Sequence, residues 1–543
     1  MSKVAAYLRG HISGEVSTRL DVREAMSTDM GVMKIRPELV VYPRTTNDIR
    51  KIARFTWQLA EKGHLLPITV RGAGTDTTGA AIGKGVAVVT VAHMNKIFEY
   101  DAKQKLVRLQ PGATIDALNQ SLALHGTAVM PLFGSKGFGT IGGAVASGVA
   151  GALAGKYGTI DGTIDQLEVV LANGDVMQTS RISKRELNRR KGVQGLEGDI
   201  YRGIDGIIEE NAELLDTLRA NDAVGYNTIA DVKQKDGSFD LTPLFIGSQG
   251  TLGIISELIV RAEYRSLAMG VAVLVFDSGN AARDALDDIC KNAPALVDYF
   301  DASLFEAATT HGKVYDFYAK AKEKLTPESV VIVGFDEFNE RQRQKQLKRI
   351  QKIFGTNEHV YLATADREAS EDILSALDVI HYTSLPDRNE MTAPHIFSGF
   401  HVPTGRLEDF TSALQQLGHK MHTELPMAGH VITNTYTIYP TFDLRKVSDK
   451  QKILKLMDEL TALVYAHGGT MVAEGGEGRL KARSIYAQLD QKLVKLYADI
   501  KKVCDPHGTL NPGVKDTVDL RQLADQLRDD PSVGSVARWG LHG

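Results

Sequence analysis

Cysteine is nearly missing from this chain, with two in 543 residues, Cys290 and Cys504, far apart and in no C-x-x-C spacing. That excludes a cysteine-held iron–sulfur cluster or zinc site within the chain and fits a reducing compartment. Excess charge is missing as well: 63 Lys and Arg stand against 67 Asp and Glu, the net charge is -4, and the basic residues are dispersed. No electrostatic footprint for nucleic acid is present. The N-terminal Met-Ser-Lys-Val-Ala-Ala-Tyr-Leu-Arg-Gly-His lacks the apolar run of a signal peptide. The one long uncharged window, residues 137–155, holds seven Gly and five Ala, which makes a poor membrane span. These absences lead to the expectation of a cytoplasmic protein, with association at the inner face of a membrane as the alternative.

What the chain does have is ordinary globular material, 43% hydrophobic and 24% charged, long enough for two to four domains. Its most unusual stretch is 134–158, Gly-Ser-Lys-Gly-Phe-Gly-Thr-Ile-Gly-Gly-Ala-Val-Ala-Ser-Gly-Val-Ala-Gly-Ala-Leu-Ala-Gly-Lys-Tyr-Gly. So many small residues cannot build a core. They let backbone approach a ligand and present bare N–H groups, whereas a linker would carry more Ser, Pro and charge.

Two more small-residue loops adjoin predicted strands. Leu66–Val70 runs into Arg71-Gly-Ala-Gly-Thr-Asp-Thr-Thr-Gly79, and Pro243–Ile246, read as a strand, runs into Gly247-Ser-Gln-Gly-Thr-Leu-Gly253 before a strand from Ile254 to Val260. One extended anionic ligand touched by all three loops is the economical explanation. Other strands are expected at 38–43, 86–91 and 105–110, with a hairpin around Asn173-Gly174 closed by a type I′ turn. Thr45 is placed to cap a helix carrying Ile49, Ile52, Phe55 and Leu59 on one face. Beyond 266, strands at 271–276, 329–335, 394–401 and 430–439 alternate with helices near 279–291 and 405–419, which suggests a duplicated ferredoxin-like sheet.

Gly137-Phe-Gly139-Thr-Ile-Gly142 matches G-x-G-x-x-G, but no clean buried strand precedes it, so a Rossmann unit is not expected. Gly79-Ala-Ala-Ile-Gly-Lys84 is one residue short of a phosphate loop and lacks its Ser or Thr.

Taken together, Arg71-Gly-x-Gly-Thr75, Pro111-Gly112, Thr140-Ile-Gly-Gly143 with Tyr157-Gly158, Leu167–Gly174, Gly247-Ser-x-Gly-Thr-Leu-Gly-Ile254 and Asn511-Pro-Gly513 stand in the order seen in FAD-linked oxidases. The chain resembles the flavoprotein superfamily of vanillyl-alcohol oxidase and p-cresol methylhydroxylase, and within it the D-lactate and glycolate dehydrogenase group, over residues 20 to 515. The resemblance implies an α+β fold: a two-subdomain FAD-binding domain of the p-cresol methylhydroxylase type over 20–265 (subdomains 37–180 and 181–265), a ferredoxin-like α+β cap over 266–500, and a C-terminal segment, 501–543, returning to the FAD domain. It implies FAD contacts at Arg71, Gly72, Ala73, Gly74, Thr75 and Asp76, at Pro111 and Gly112, at Thr140, Ile141, Gly142, Gly143, Ala144, Ser147 and Gly148, at Tyr157 and Gly158, at Gly253, Ile254 and Ile255, and at Asn511. The pyrophosphate would lie against 71–75 and 140–144, Ile254 or Ile255 at the nucleotide end and Asn511 at the flavin end. Some relatives tether flavin to a His in the first loop. Here that loop reads Gly74-Thr75-Asp76, so the FAD is expected to be non-covalent.

Relatives that oxidise 2-hydroxy acids carry Gly-His-x-Gly-Asp-Gly-Asn-x-His, supplying metal-binding and base histidines, and Gly-Glu-His-Gly. The matching stretches here keep His430 and Glu474 but place Thr437 and Gly475 at the other histidine positions, and no metal is expected. Oxidising an alcohol carbon requires hydride transfer to flavin N5, a base for the hydroxyl proton and a cation for a substrate carboxylate. Candidates are Glu474, His430, Tyr436, Tyr439 and Glu477 for the proton, and Arg388 or Arg479 for the anion. On one regular strand from 431 to 439, Tyr436 and Tyr439 would point to opposite faces. The expected function is FAD-dependent oxidation of a small 2-hydroxy acid such as D-lactate or glycolate, with electrons passing to oxygen, a quinone or a protein. The alternatives are oxidation of a carbohydrate or other alcohol, or a flavin-binding electron-transfer subunit of a larger complex, with a redox partner or a peripheral membrane contact.

Overall fold

The computed structural model describes residues 2–130, 139–218, 222–266 and 268–530, so the glycines at 134 and 137 and the tail beyond 530 lie outside the described residues. Strand β1 (Glu15–Ser17) pairs antiparallel with β2 (Leu39–Tyr42), and β2, β4 (Val86–Val89) and β3 (Ile68–Arg71) follow in parallel. A parallel step needs a crossover, and the Thr46–Glu61 helix provides it. Thr45 caps that helix by accepting from the Asp48 N–H, and Ile49, Ile52 and Ala53 are buried beneath it.

A second, antiparallel sheet has the order β5 (Ile97–Asp101), β6 (Leu106–Leu109), β10 (Ile254–Arg261), β8 (Ile164–Val170), β9 (Val176–Gln178). A two-stranded ribbon joins β7 (Thr127–Ala128) to β11 (Glu263–Tyr264). In the turn between β8 and β9 only Gly174 takes positive φ, so the expected type I′ turn, which needs two such residues, does not form. The expected strand at 243–246 is a helical turn, Thr242–Phe245, with Pro243 in its first turn.

The third sheet has seven antiparallel strands in the order β15 (Val360–Asp366), β12 (Gly270–Phe276), β14 (Ser329–Phe335), β13 (Leu296–Asp301), β17 (Met427–His430), β18 (Thr435–Ile438), β16 (Phe397–His401). Strands β12 to β15 with the helices Gly279–Cys290 and Glu340–Phe354 make one ferredoxin-like unit. Strands β16 to β18 repeat its first three, and the two halves join through β13 and β17 into one sheet. The expected single strand 430–439 is therefore a hairpin, turning at 431–434 with Asn434 at φ +54°. Every residue of β12 and β14 is buried, because helices cover both faces. Helices Gly279–Cys290, Glu340–Phe354 and Leu407–Met421 cover the outer face. On the inner face Val271, Val273 and Phe300 pack with the Ser303–Thr310 and Asp316–Lys322 helices, and with Ala128, Met130 and Leu153 from the first half of the chain. Among the described residues no helix is long and apolar enough to cross a membrane.

Candidate active site

The glycine loops converge on one place. Beyond β3 the six N–H groups from Gly72 to Thr77 find no acceptor among the described residues. The Asp76 carboxylate shapes that loop, receiving the Thr78 N–H at 2.9 Å and the Ala80 N–H at 2.8 Å. Ala73, Thr75 and Asp76 are half-exposed along it. Arg71 does not extend into the open. Its guanidinium is buried beneath the loop, giving a hydrogen bond to the Thr28 carbonyl at 2.7 Å, and a Cβ on Gly74 would meet it at 2.1 Å. Burial pulls the Arg71 pKa down, while Asp29 and Asp76 oppose the shift.

Thr140 caps the short helix Ile141–Ser147 by accepting from the Gly143 N–H, and the same Oγ1 lies 2.1 Å from where a Gly72 Cβ would be. Gly142 sits on Pro111, beside Gly112, where a Cβ would meet Pro111 Cβ at 2.4 Å. Ile141 and Ala144 are buried, Ser147 is half-exposed, and Gly148 ends the helix at φ +62°. The third loop is zipped to this helix by Gly247 N–H to Val145 O at 2.9 Å and Gln249 N–H to Ala146 O at 2.7 Å. Glycine where any side chain would collide, beside a row of N–H groups without protein acceptors, is what a pyrophosphate-binding backbone requires, so the loops fit FAD. Gly253 packs against Val169, Ile254 is buried opposite Val170, and Ile255 is half-exposed. Gly158 carries φ +78°, while Tyr157 and Lys156 both bind Asp336 at the end of the cap sheet.

Asn511, buried at φ +44°, knots the loops together. Its Nδ2 donates to the carbonyls of Ala80 and Gln249, both at 2.9 Å, and its Oδ1 accepts from Thr69 Oγ1 and Arg479. Arg479 was expected to hold a substrate anion, but its donors are used on the carbonyls of Gly79, Ile82 and Pro512 and on Asn511. It is a structural clamp, and burial lowers its pKa to about 10.

In the cap sheet, β13 and β17 set Asp298 directly opposite His430 in register. His430 Nδ1 donates to Asp298 Oδ1 at 2.7 Å. The Asp298 side chain is 4% exposed and that of His430 is 32% exposed, so the carboxylate is sealed behind a ring that stays accessible. Burial disfavours the charged ring, but the Asp298 carboxylate outweighs it and raises His430 to about 9. Glu474 reaches the glycine stretch, its Oε2 accepting from the Ala150 N–H at 2.9 Å. Burial pushes its carboxyl up, against the pull of His430, that N–H and Lys481. Lys481, fully buried, donates to the Ser398 carbonyl at 2.6 Å and is lowered to about 8 by burial, against Asp76, Glu477 and Glu474.

The remaining candidates do not join this group. Tyr436 lies on the other face of β18, packed on Phe400, with its buried hydroxyl unpartnered. Tyr439 is on the inner side, its ring edge-on to His395 at 5.0 Å. Arg388 is exposed on the turn that follows Asp387. Glu477 is engaged by Lys515 at 2.7 Å, with both side chains fully buried. Sequence reasoning missed Asp298, Lys481 and Gln249. A carboxylate within the apolar run Ala-Leu-Val-Asp-Tyr-Phe was the available signal for Asp298.

The FAD binding domain family matches residues 37–180, and the C-terminal domain of FAD linked oxidases matches 268–514. The D-2-hydroxyglutarate dehydrogenase of Pantoea ananatis is 26% identical over 523 residues, covering 92% of this chain and 50% of the relative, so the chain spans about half the length of such relatives. A glycolate oxidase subunit of Bacillus subtilis is 24% identical over 489 residues and is covered to 90%, as is this chain. Among solved structures, substrate-bound p-cresol methylhydroxylase superposes with a TM-score of 0.66 at 15% identity, over 95% of this chain and 96% of that one. The 4-ethylphenol oxidase of Gulosibacter chungangensis also gives 0.66, at 14% identity over 96% and 98%. With FAD-type loops in the first half and an oxidase cap in the second, the chain belongs to the FAD-linked oxidase family, on a fold of the p-cresol methylhydroxylase type.

Proposed function

We propose that the protein oxidises a small 2-hydroxy acid to the 2-oxo acid, using non-covalently bound FAD, and passes the electrons to an external acceptor. The observation that carries this reading is that Glu474, bonded to the glycine stretch at the Ala150 N–H, lies within electrostatic reach of His430, which is itself paired with Asp298. Bound FAD supplies the two-electron acceptor. The chain's own residues bind and orient the substrate. Glu474, held by the Ala150 N–H and next to two positive charges, takes the hydroxyl proton. The chemistry of the named relatives, hydroxyglutarate and glycolate, supports the substrate class.

Anaerobic mixing of the holoprotein with D- and L-2-hydroxy acids, sugars and aromatic alcohols tests the proposal. Bleaching of the flavin near 450 nm by a 2-hydroxy acid is expected on the absorbance of ordinary oxidised flavin, roughly as for any flavoprotein of this chemistry. Bleaching only by sugars or aromatic alcohols overturns it. Denaturation and filtration should release the flavin, and retention on the polypeptide refutes non-covalent binding.

A further inference from the structure

The histidine-rich patterns of the 2-hydroxy-acid oxidising relatives imply a metal ion, and this chain does not fit one. Thr437 and Gly475 occupy two of the histidine positions, and among the described residues no three His, Cys, Asp or Glu side chains are grouped to hold an ion. What stands behind His430 instead is a carboxylate.

We propose that the Asp298–His430 pair replaces the metal: a positively charged imidazole ring, pinned from behind by the buried Asp298, offers its Nε2–H to the carboxylate of the substrate. The proposal rests on the 2-hydroxy-acid reading. Both partners sit on strands interior to the seven-stranded sheet, in direct register, so the ladder holds the two backbones that carry them side by side. The Nδ1 edge is occupied by Asp298, and Nε2 has no partner among the described residues. The charged groups around the ring are Asp298 from β13 and Glu474 from the loop after residue 470; Lys481 and Asp298 also act on Glu474, Asp76 and Glu477 act on Lys481, and the Tyr439 hydroxyl feels both Glu474 and Asp298. The upward shift of His430 to about 9 is the expected consequence of this setting.

A ring that stays charged through the neutral range cannot serve as the base, which leaves that role to Glu474. In the balanced step the O–H and C–H bonds at the alcohol carbon break, the proton passes to Glu474, the hydride passes to FAD, and the carbonyl forms. The site then discriminates by charge without any Lewis acid, which the cationic ring and Lys481 make feasible.

The test combines metal content, a titration and kinetics on the holoenzyme. Elemental analysis should find substoichiometric metal, and dialysis against EDTA and 1,10-phenanthroline should leave the bleaching rate unchanged. A rate lost on chelation and restored by Zn²⁺ or Mn²⁺ overturns the proposal. With ¹³C-labelled histidine, and His430 assigned by its disappearance in His430→Gln, the ring should titrate near 9 in the wild type and near the ordinary imidazole value of about 6.5 in Asp298→Asn. A wild-type value near 6.5 refutes it. Asp298→Asn should lower kcat/KM roughly 10- to 100-fold, as for loss of the partner that orients a functional imidazole, and move the alkaline limb of the pH profile down. If no 2-hydroxy acid bleaches the flavin, the functional reading fails, and the metal content and histidine titration still decide whether His430 carries the charge.

Discussion

Glu474 Oε2 accepts the Ala150 N–H at 2.9 Å across 324 residues of sequence. This bond fastens the cap loop to the glycine stretch, and it also fixes the direction of the carboxylate we assign as the base. Only one of its two oxygens is used in this way.

Glu474→Gln keeps an acceptor for Ala150 and removes the base. The rate of flavin reduction by substrate should fall by about 10²- to 10⁴-fold, the usual contribution of a positioned base. The flavin-to-protein ratio should stay at its wild-type value. Stopped-flow absorbance checks the first and the visible spectrum the second, and an intact reduction rate would falsify the assignment.

Gly142→Ala tests the cofactor loops. The added Cβ would come within 2.4 Å of Pro111 Cβ and 2.8 Å of the Pro111 carbonyl. Overpacking against rigid backbone costs about 1–3 kcal/mol. The expected outcome is a protein that folds with a lower Tm and copurifies with much less FAD. Gly63→Ala is a poor control because of its positive φ, whereas Gly10→Ala, with open space around it, should change neither quantity.

Asn511→Leu should be among the most destabilising single changes in the molecule. It leaves the carbonyls of Ala80 and Gln249 and the donors of Thr69 and Arg479 without their partner, at about 1–3 kcal/mol for each buried group left unsatisfied. Loss of FAD should accompany the loss of stability, because the knot sets the spacing of the loops. Calorimetry with and without added FAD measures both, and a Tm within a degree of wild type would discredit the knot.

The stability of the protein should carry a His430 component with a definite sign. The folded ring is raised to about 9, above the unfolded imidazole at about 6.5. Its contribution is therefore fully present below about 6.5 and is lost as pH rises through 9, with a ceiling of about 3 kcal/mol. Lys481 has the opposite sign, because its pKa is lowered to about 8, so stability rises as pH moves from 8 toward the unfolded lysine value. The wild-type curve alone mixes the two. The difference between wild type and His430→Gln, measured by urea titration from pH 6 to 9.5, should shrink with pH, and a difference that grows would contradict the pairing with Asp298.

The alternation of strands and the order of the small-residue loops were legible in the sequence because both depend on local properties: which residues pack on a pleated surface, and where backbone must lie bare. Thr45 as a helix cap and the strand from Ile254 are examples. The helical turn at Thr242–Phe245 was misread because Leu, Phe and Ile in a row satisfy either structure at four residues.

The site divides in the same way. Gly72, Gly142, His430 and Glu474 could be named as candidates from sequence, since glycines in small-residue loops and a His or Glu inside a family pattern mark themselves. Asp298 and the roles of Arg479 and Tyr436 could not, because each depends on a neighbour far away in the chain. Asp298 meets His430 only through the register of β13 on β17, Arg479 spends its donors on carbonyls at 79, 82 and 512, and the hairpin at 431–434 with the pleat of β18 turns Tyr436 away. The sequence by itself determined where backbone lies bare for an anionic ligand, since backbone access is written in composition, and the order of its motifs, through the family they resemble, made that ligand FAD. Only the tertiary structure decided which charges meet one another, because a charge's effect depends on distance and burial, and both are properties of the packed sheet.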